Sequence, residues 1–230
     1  MSEHIFITSN GEKIPVIIET RRGARNITLR PKTICEREIH ISKPWISSTN
    51  EALRFLESKR KWVEKIFVAC PIKKQIKPGD TLCILGNEYT ITHNPNQRLN
   101  TTDKNIITIG GDIKMFEHRM RDLVKKQTLQ EIKSIIRTTP PEFWPKKIAL
   151  HDTTSRWGSC SSTGTMSFSW RLALAPYEVL RYVVMHELAH TRHMDHSPEF
   201  WHTVSELYGF GVERTKRWLN KNGQSLYKYL

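Results

Sequence analysis

The segment MHELAHTRHMDHSPEFW, residues 185 to 201, sets four histidines, two glutamates and an aspartate in a stretch that otherwise reads as a buried helix. Val179, Val183, His186 and His190 recur at steps of four, three and four, so both histidines continue an apolar stripe and lie one helical turn apart. A lone histidine on such a face is usually a core residue bonded to backbone. Here Glu187 stands beside the first, and HELAH satisfies HExxH, in which two imidazoles bind zinc and the glutamate holds the water.

A catalytic zinc needs a third protein ligand and one open position. His193, His196, Glu199, Glu206 and Glu213 are the candidates. His193 lies three residues past His190, about 4.5 Å further along a helix rising 1.5 Å per residue, which carries it beyond the metal. His196 is better placed if the helix ends near Met194, because Asp195 and Ser197-Pro198 read as a break followed by a new helix cap.

The elements that must position these groups follow from periodicity. Ala175-Pro176 opens the helix that bears HELAH, since proline suits a first turn. Ahead of it MSFSWRL alternates, with Met166, Phe168, Trp170 and Leu172 on one face and Ser167, Ser169 and Arg171 on the other, as in a half-buried strand. Residues 147–152 suit a short strand, and a long helix is expected from Asp112 to Arg137, ended by Thr139-Pro140-Pro141. The first half is β-rich, with HIFIT, PVIIE, NITLR and EIHIS as strands. One helix is expected from Thr49 to Ala69, stopped by Pro71, and a hairpin turns at Gly86-Asn87. The polar run HNPNQRLNTTDKN, residues 93–105, reads as a connection. The expected division is therefore a β-rich region over 1–104 and a catalytic domain over 105–230.

SRWGSCSSTGTMSFSWRLALAP, YVVMHELAH and DHSPEFW together resemble the YgjP-like zinc metallopeptidases, and more distantly the SprT-like and WLM zincins. The specific likeness spans about residues 150–205; RRGARNITLRP and the SKRKWVEK helix fit more loosely. The resemblance implies an α+β, zincin-like fold with an HExxH helix and a small antiparallel sheet. It implies Zn2+ held by His186, His190 and His196, with Asp195 where asparagine is commoner. Metzincins share the six-residue step from His190 to His196, but His193 stands where they have glycine and no later methionine builds their Met-turn. A nucleophile at Gly158-Ser159-Cys160 fares worse, since no base is indicated beside it and a tight turn before the strand accounts for the glycine.

The expected reaction is peptide-bond hydrolysis through a zinc-bound water with Glu187 as general base. A second electrophile for the oxyanion is sought among Arg156, His151, Tyr177 and Tyr182, with Arg156 preferred. If the strand from Thr165 to Leu172 is an edge strand beside the zinc helix, an extended peptide can pair with it. The other class of function is a nucleic-acid-associated module with a structural zinc, for which a base beside the ligands has no use.

Composition sets the outer bounds. Lys and Arg number 36 against 23 Asp and Glu, a net +13 that attracts polyanions, so weak DNA contact through Arg21, Arg22, Lys59 and Arg60 is one expectation. The charges are dispersed, however, and no aromatic stacking platform accompanies them. No run of apolar residues suits a membrane span, and MSEHIFITSNGEKI lacks the apolar middle of a signal peptide. A cytoplasmic protein with a protein or peptide substrate is expected. Cys35, Cys70, Cys83 and Cys160 are scattered without CxxC pairing, against both a disulfide framework and a cysteine zinc cage.

Overall fold

Alternating β-branched residues build a four-stranded sheet near the amino terminus from β1 (His4–Ile7), β2 (Lys13–Thr20), β3 (Thr28–Lys32) and β4 (Glu38–Lys43), in the order β1-β2-β4-β3. The computed structural model describes residues 4–32, 37–69, 74–153 and 156–229. Ile14, Val16, Ile39 and Ile41 turn to one face of this sheet. They are buried there with Ala52 and Leu56 of α1 (Thr49–Ser58) and Val63 and Phe67 of α2 (Arg60–Ala69). Removing each such large side chain from water contributes about 1.5–3 kcal/mol.

The single helix expected over 49–69 is broken at Lys59, and Pro71 lies outside the described residues. Length explains the break: about 20 helical residues extend some 30 Å, whereas four strands spaced about 4.8 Å apart offer far less width to cover. At the break Arg60 is clasped by Glu57 and Glu64, donates to the Ile7 carbonyl and lies over the Phe6 ring. Arg21 likewise pairs with Glu19. Two of the four cations singled out for DNA contact are thus already engaged with carboxylates.

The chain divides into two compact units, Met1–Lys73 and Lys74–Leu230. The division falls ahead of the polar run at 93–105, because that run lies within a second sheet of β5 (Thr81–Ile84), β6 (Asn87–Asn94), β7 (Thr101–Asp103) and β8 (Ile106–Gly110), ordered β5-β6-β8-β7. Its first hairpin turns on Leu85-Gly86, both at positive φ (51° and 83°), one residue earlier than the Gly86-Asn87 expectation.

The long helix α3 (Phe116–Arg137) follows a short 3-10 turn capped by Asp112. Its first half, through Phe116, Met120 and Val124, packs on Ile84, Ile91, Ile107 and Ile109 of the second sheet. Its second half, through Ile132, Ile135 and Ile136, enters the core around α4 (Tyr177–Ala189). One helix therefore ties the sheet of residues 81–110 to the element that bears HELAH.

Above α4 lies a three-stranded sheet of β9 (Lys147–His151), β10 (Gly158–Cys160) and β11 (Thr165–Ser169), in the order β10-β11-β9. β11 runs antiparallel to β10 but parallel to β9, so this sheet is mixed rather than antiparallel throughout. The docking strand expected over 165–172 is therefore central, paired on both sides, and cannot receive a peptide. The free edge beside α4 among the described residues is β10. α5 (Pro198–Tyr208) and α6 (Val212–Asn222) complete the unit.

The alternation in MSFSWRL also ends early. After Ser169 the chain enters a 3-10 turn, Trp170–Leu174, which rotates Arg171 inward to 4% exposure. The guanidinium is matched by Asp152 at 2.7 Å, by the Leu226 and Tyr229 carbonyls, and by the Trp170 and Tyr227 rings, so it binds the carboxy-terminal segment to the sheet. No helix among the described residues is long and apolar enough to cross a membrane. Cys83 and Cys160 are free thiols, and Cys35 and Cys70 lie outside the described residues.

Candidate active site

α4 ends at Ala189 with His190 as its C-cap, earlier than Met194. The chain then turns through 191–196 and restarts at α5, whose cap is the Ser197 hydroxyl accepting from the Phe200 N–H, with Pro198 in its first turn. Asp195 accepts from the Ser197 N–H in the turn that presents His196, and the Ser197 hydroxyl, then this N–H, hold its carboxyl below the usual range.

His186, His190 and His196 offer one nitrogen each within 4.8 Å of one another, and the described residues add no fourth ligand to the group. The Nε2 atoms of His186 and His196 stand 3.3 Å apart. Two imidazoles bound tetrahedrally at the usual zinc distance of about 2.05 Å would have nitrogens about 3.3 Å apart, so the donor set fits zinc in kind and in spacing.

The tautomer of His190 is fixed by a 2.8 Å contact of Nδ1 with the His193 carbonyl, where Nδ1–H donates and leaves the Nε2 lone pair free. His193 thus contributes its backbone carbonyl, and its side chain does not join the histidine group. Phe200 is fully buried, stacks on His190 at 4.5 Å and meets His186 and His196 edge-on, bracing all three rings. Burial, then the neighbouring His190, His196 and Lys216, lowers the His186 pKa to about 4, keeping its ring in the neutral form that can bind a metal. Its Nδ1 is buried without a partner among the described residues.

Glu187, the residue after His186, lies against Gly158 of β10. It is 5% exposed, and burial raises its pKa to about 7, opposed by the charge of Arg156. The carboxylate fits because residue 158 has no side chain. A Cβ there would lie 2.5 Å from Oε1 and 2.7 Å from Cγ of Glu187. Sequence reasoning read Gly158 as a turn residue and missed this contact.

β10 also offers backbone. Ser169 N–H donates to the Trp157 carbonyl and Ser161 N–H to the Thr165 carbonyl, with Ser159 opposite Ser167 between them. Hydrogen-bonded and non-bonded pairs alternate in an antiparallel ladder, so Gly158 and Cys160 turn their N–H and C=O groups to the free edge. The Cys160 thiol is pushed up by burial and by the Glu187 charge, and stays protonated.

Of the residues considered for the oxyanion, Arg156 is exposed at the start of β10, near enough to act on Glu187. Tyr182 is buried against His186 and its pKa is raised to about 12, first by burial. Tyr177 sits instead beside Gly86, and His151 is at the end of β9. Glu206 pairs with His202, Glu199 lies in the first turn of α5, and neither joins the histidine group.

A helix bearing HELAH beneath a small mixed sheet is the architecture of an α+β metallopeptidase domain. The chain belongs to the YgjP-like family, whose metallopeptidase-domain model matches residues 25–222. Among solved structures, the metallopeptidase zymogen abylysin of Pyrococcus abyssi is similar at 23% identity over 46% of this chain and 98% of that one, with a TM-score of 0.33. No curated protein matches the sequence.

Proposed function

We propose that the chain is a zinc endopeptidase in which His186, His190 and His196 hold the metal and Glu187 is the general base. The observation that supports it is the meeting of three imidazoles at one point beside a buried carboxylate. A closed structural zinc would take a fourth protein ligand, and none joins the group among the described residues. Zinc, when bound, supplies a Lewis acid and acidifies water at neutral pH.

The chain's own residues supply the rest. The His193 carbonyl and the Phe200 ring hold the imidazoles in register. An extended peptide adds to β10 through the outward groups of Gly158 and Cys160, which lays its backbone past Glu187. The Glu187 carboxylate then accepts a proton from the water whose oxygen adds to the carbonyl carbon and passes it to the amine that leaves as the C–N bond breaks.

Metal quantitation coupled to cleavage of a peptide library tests the reading. The expected outcome is one zinc per chain and cleavage that a chelator abolishes and added zinc restores; cleavage indifferent to chelation rules the mechanism out. Gly158→Ala adds a methyl where Glu187 lies, so the carboxylate must move. A displacement of about 1 Å costs on the order of 100-fold in rate, and kcat/KM should fall by that factor at unchanged zinc content. Wild-type rates in Gly158→Ala would remove the carboxylate from the reaction.

A further inference from the structure

The three-stranded sheet has a second face, turned away from Met166 and Phe168, where Ser159 stands opposite Ser167 and Ser169 beside His151. A cleft of about 180 Å³ opens at this end of the sheet, lined by these four residues with Thr153 and Arg156, and by Trp157, Gly158 and Phe168. That is several times the roughly 30 Å³ share of one water in the liquid, so it holds a side chain rather than a single solvent molecule. No carboxylate lines it.

Three features give the cleft its chemistry. Ser169 is 1% exposed and its Oγ has no hydrogen-bond partner among the described residues, an uncommon state for a buried hydroxyl that a group entering the cleft would relieve. Arg156 stands at the mouth and makes no ion pair among the described residues, while its backbone carbonyl is held by the Thr153 hydroxyl at 2.9 Å. Gly158, which abuts Glu187, also lines the cleft, so the cleft and the histidine site meet at β10. Hydroxyl donors and an unpaired guanidinium without an acid of their own are complementary to a carboxylate.

We infer that this cleft is a specificity subsite for the carboxylate side chain of a substrate aspartate or glutamate, paired by Arg156 and hydrogen-bonded by the Ser159, Ser167 and Ser169 hydroxyls. The inference rests on the peptidase reading and on the peptide lying along β10. Side chains of an added strand alternate between the two faces of the sheet. If one residue of the peptide faces Glu187 across Gly158, its neighbour turns toward Ser159. Arg156 is then an anchor for substrate rather than the oxyanion contact expected from the sequence.

The test uses the zinc-loaded full chain and matched peptides carrying Glu or Gln, and Asp or Asn, at each position near the scissile bond, with cleavage and binding both measured. At one position the acid should be favoured about tenfold or more in kcat/KM, mainly through KM, as a charge-assisted contact provides. Arg156→Gln should lower kcat/KM at least tenfold more on the acidic peptide than on its amide counterpart. Arg156→Glu should turn the preference toward lysine, and Ser169→Ala should shrink it. Cleavage without any charge preference, or an equal loss of kcat on acidic and amide peptides in Arg156→Gln, overturns the subsite and leaves the peptidase intact. Charge-selective binding without cleavage does the reverse, and neither binding nor cleavage overturns both.

Discussion

Glu187→Gln is expected to keep one zinc per chain and an unchanged fold while peptide hydrolysis falls by about 10²–10⁴-fold, the usual contribution of a positioned acid–base group. The amide matches the carboxyl in shape and fits the same space against Gly158. It removes a group that burial already disfavours as an anion, so folding has no reason to suffer. What it lacks is an oxygen basic enough to take a proton. Because Glu187 lies against Gly158 and is not one of the three clustered histidines, metal content and turnover should separate cleanly. Turnover comparable to wild type, with zinc in place, would eliminate Glu187 as the base. Loss of zinc would show that the residue supports the ligands instead.

The sequence made some of this geometry legible for definite reasons. Two histidines at a four-residue step on a stripe that already includes Val179 and Val183 have one direction in which to point, and the structure puts them there. Asp195 and Ser197-Pro198 signal a break and a cap, and the turn between α4 and α5 is what brings His196 back over His186. Periodicity, however, reports which face of a strand is buried and nothing about its neighbours. Met166 and Phe168 alternate correctly, yet β11 is central because β9 returns on its far side in parallel. Arg171 was grouped with Ser167 and Ser169 by the same alternation, and a change to 3-10 winding after Ser169 moved it inside.

The polar stretch 93–105 illustrates a different limit. Asparagine, proline and threonine mark turns equally well between domains and between strands of one sheet, and only the pairing of β6 with β8 shows which applies. Gly158 is the most instructive omission. A glycine ahead of a strand reads as a turn, and no local pattern says that a glutamate 29 positions later, the difference between 187 and 158, occupies the space its side chain would fill.

His196→Ala should lower zinc affinity by more than the roughly 10–100-fold that loss of a supporting contact typically costs, because it removes a direct donor. The side chain is exposed, so the fold should survive, with Phe200 still buried beneath the remaining pair. His193→Ala is the sharp control. It deletes an imidazole only three residues away but keeps the carbonyl that orients His190, and zinc affinity should stay within a few-fold of wild type. Glu199→Ala and Glu206→Ala should also be nearly silent, since Glu206 is exposed and paired with His202 and Glu199 contributes its carbonyl to Thr203. Competition titration against a chromophoric chelator measures all four. If Glu206→Ala strips the metal while His196→Ala does not, the third donor is a carboxylate, as in gluzincins. The 3.3 Å approach of His186 and His196 would then be a packing contact between two aromatic rings rather than the edge of a coordination tetrahedron.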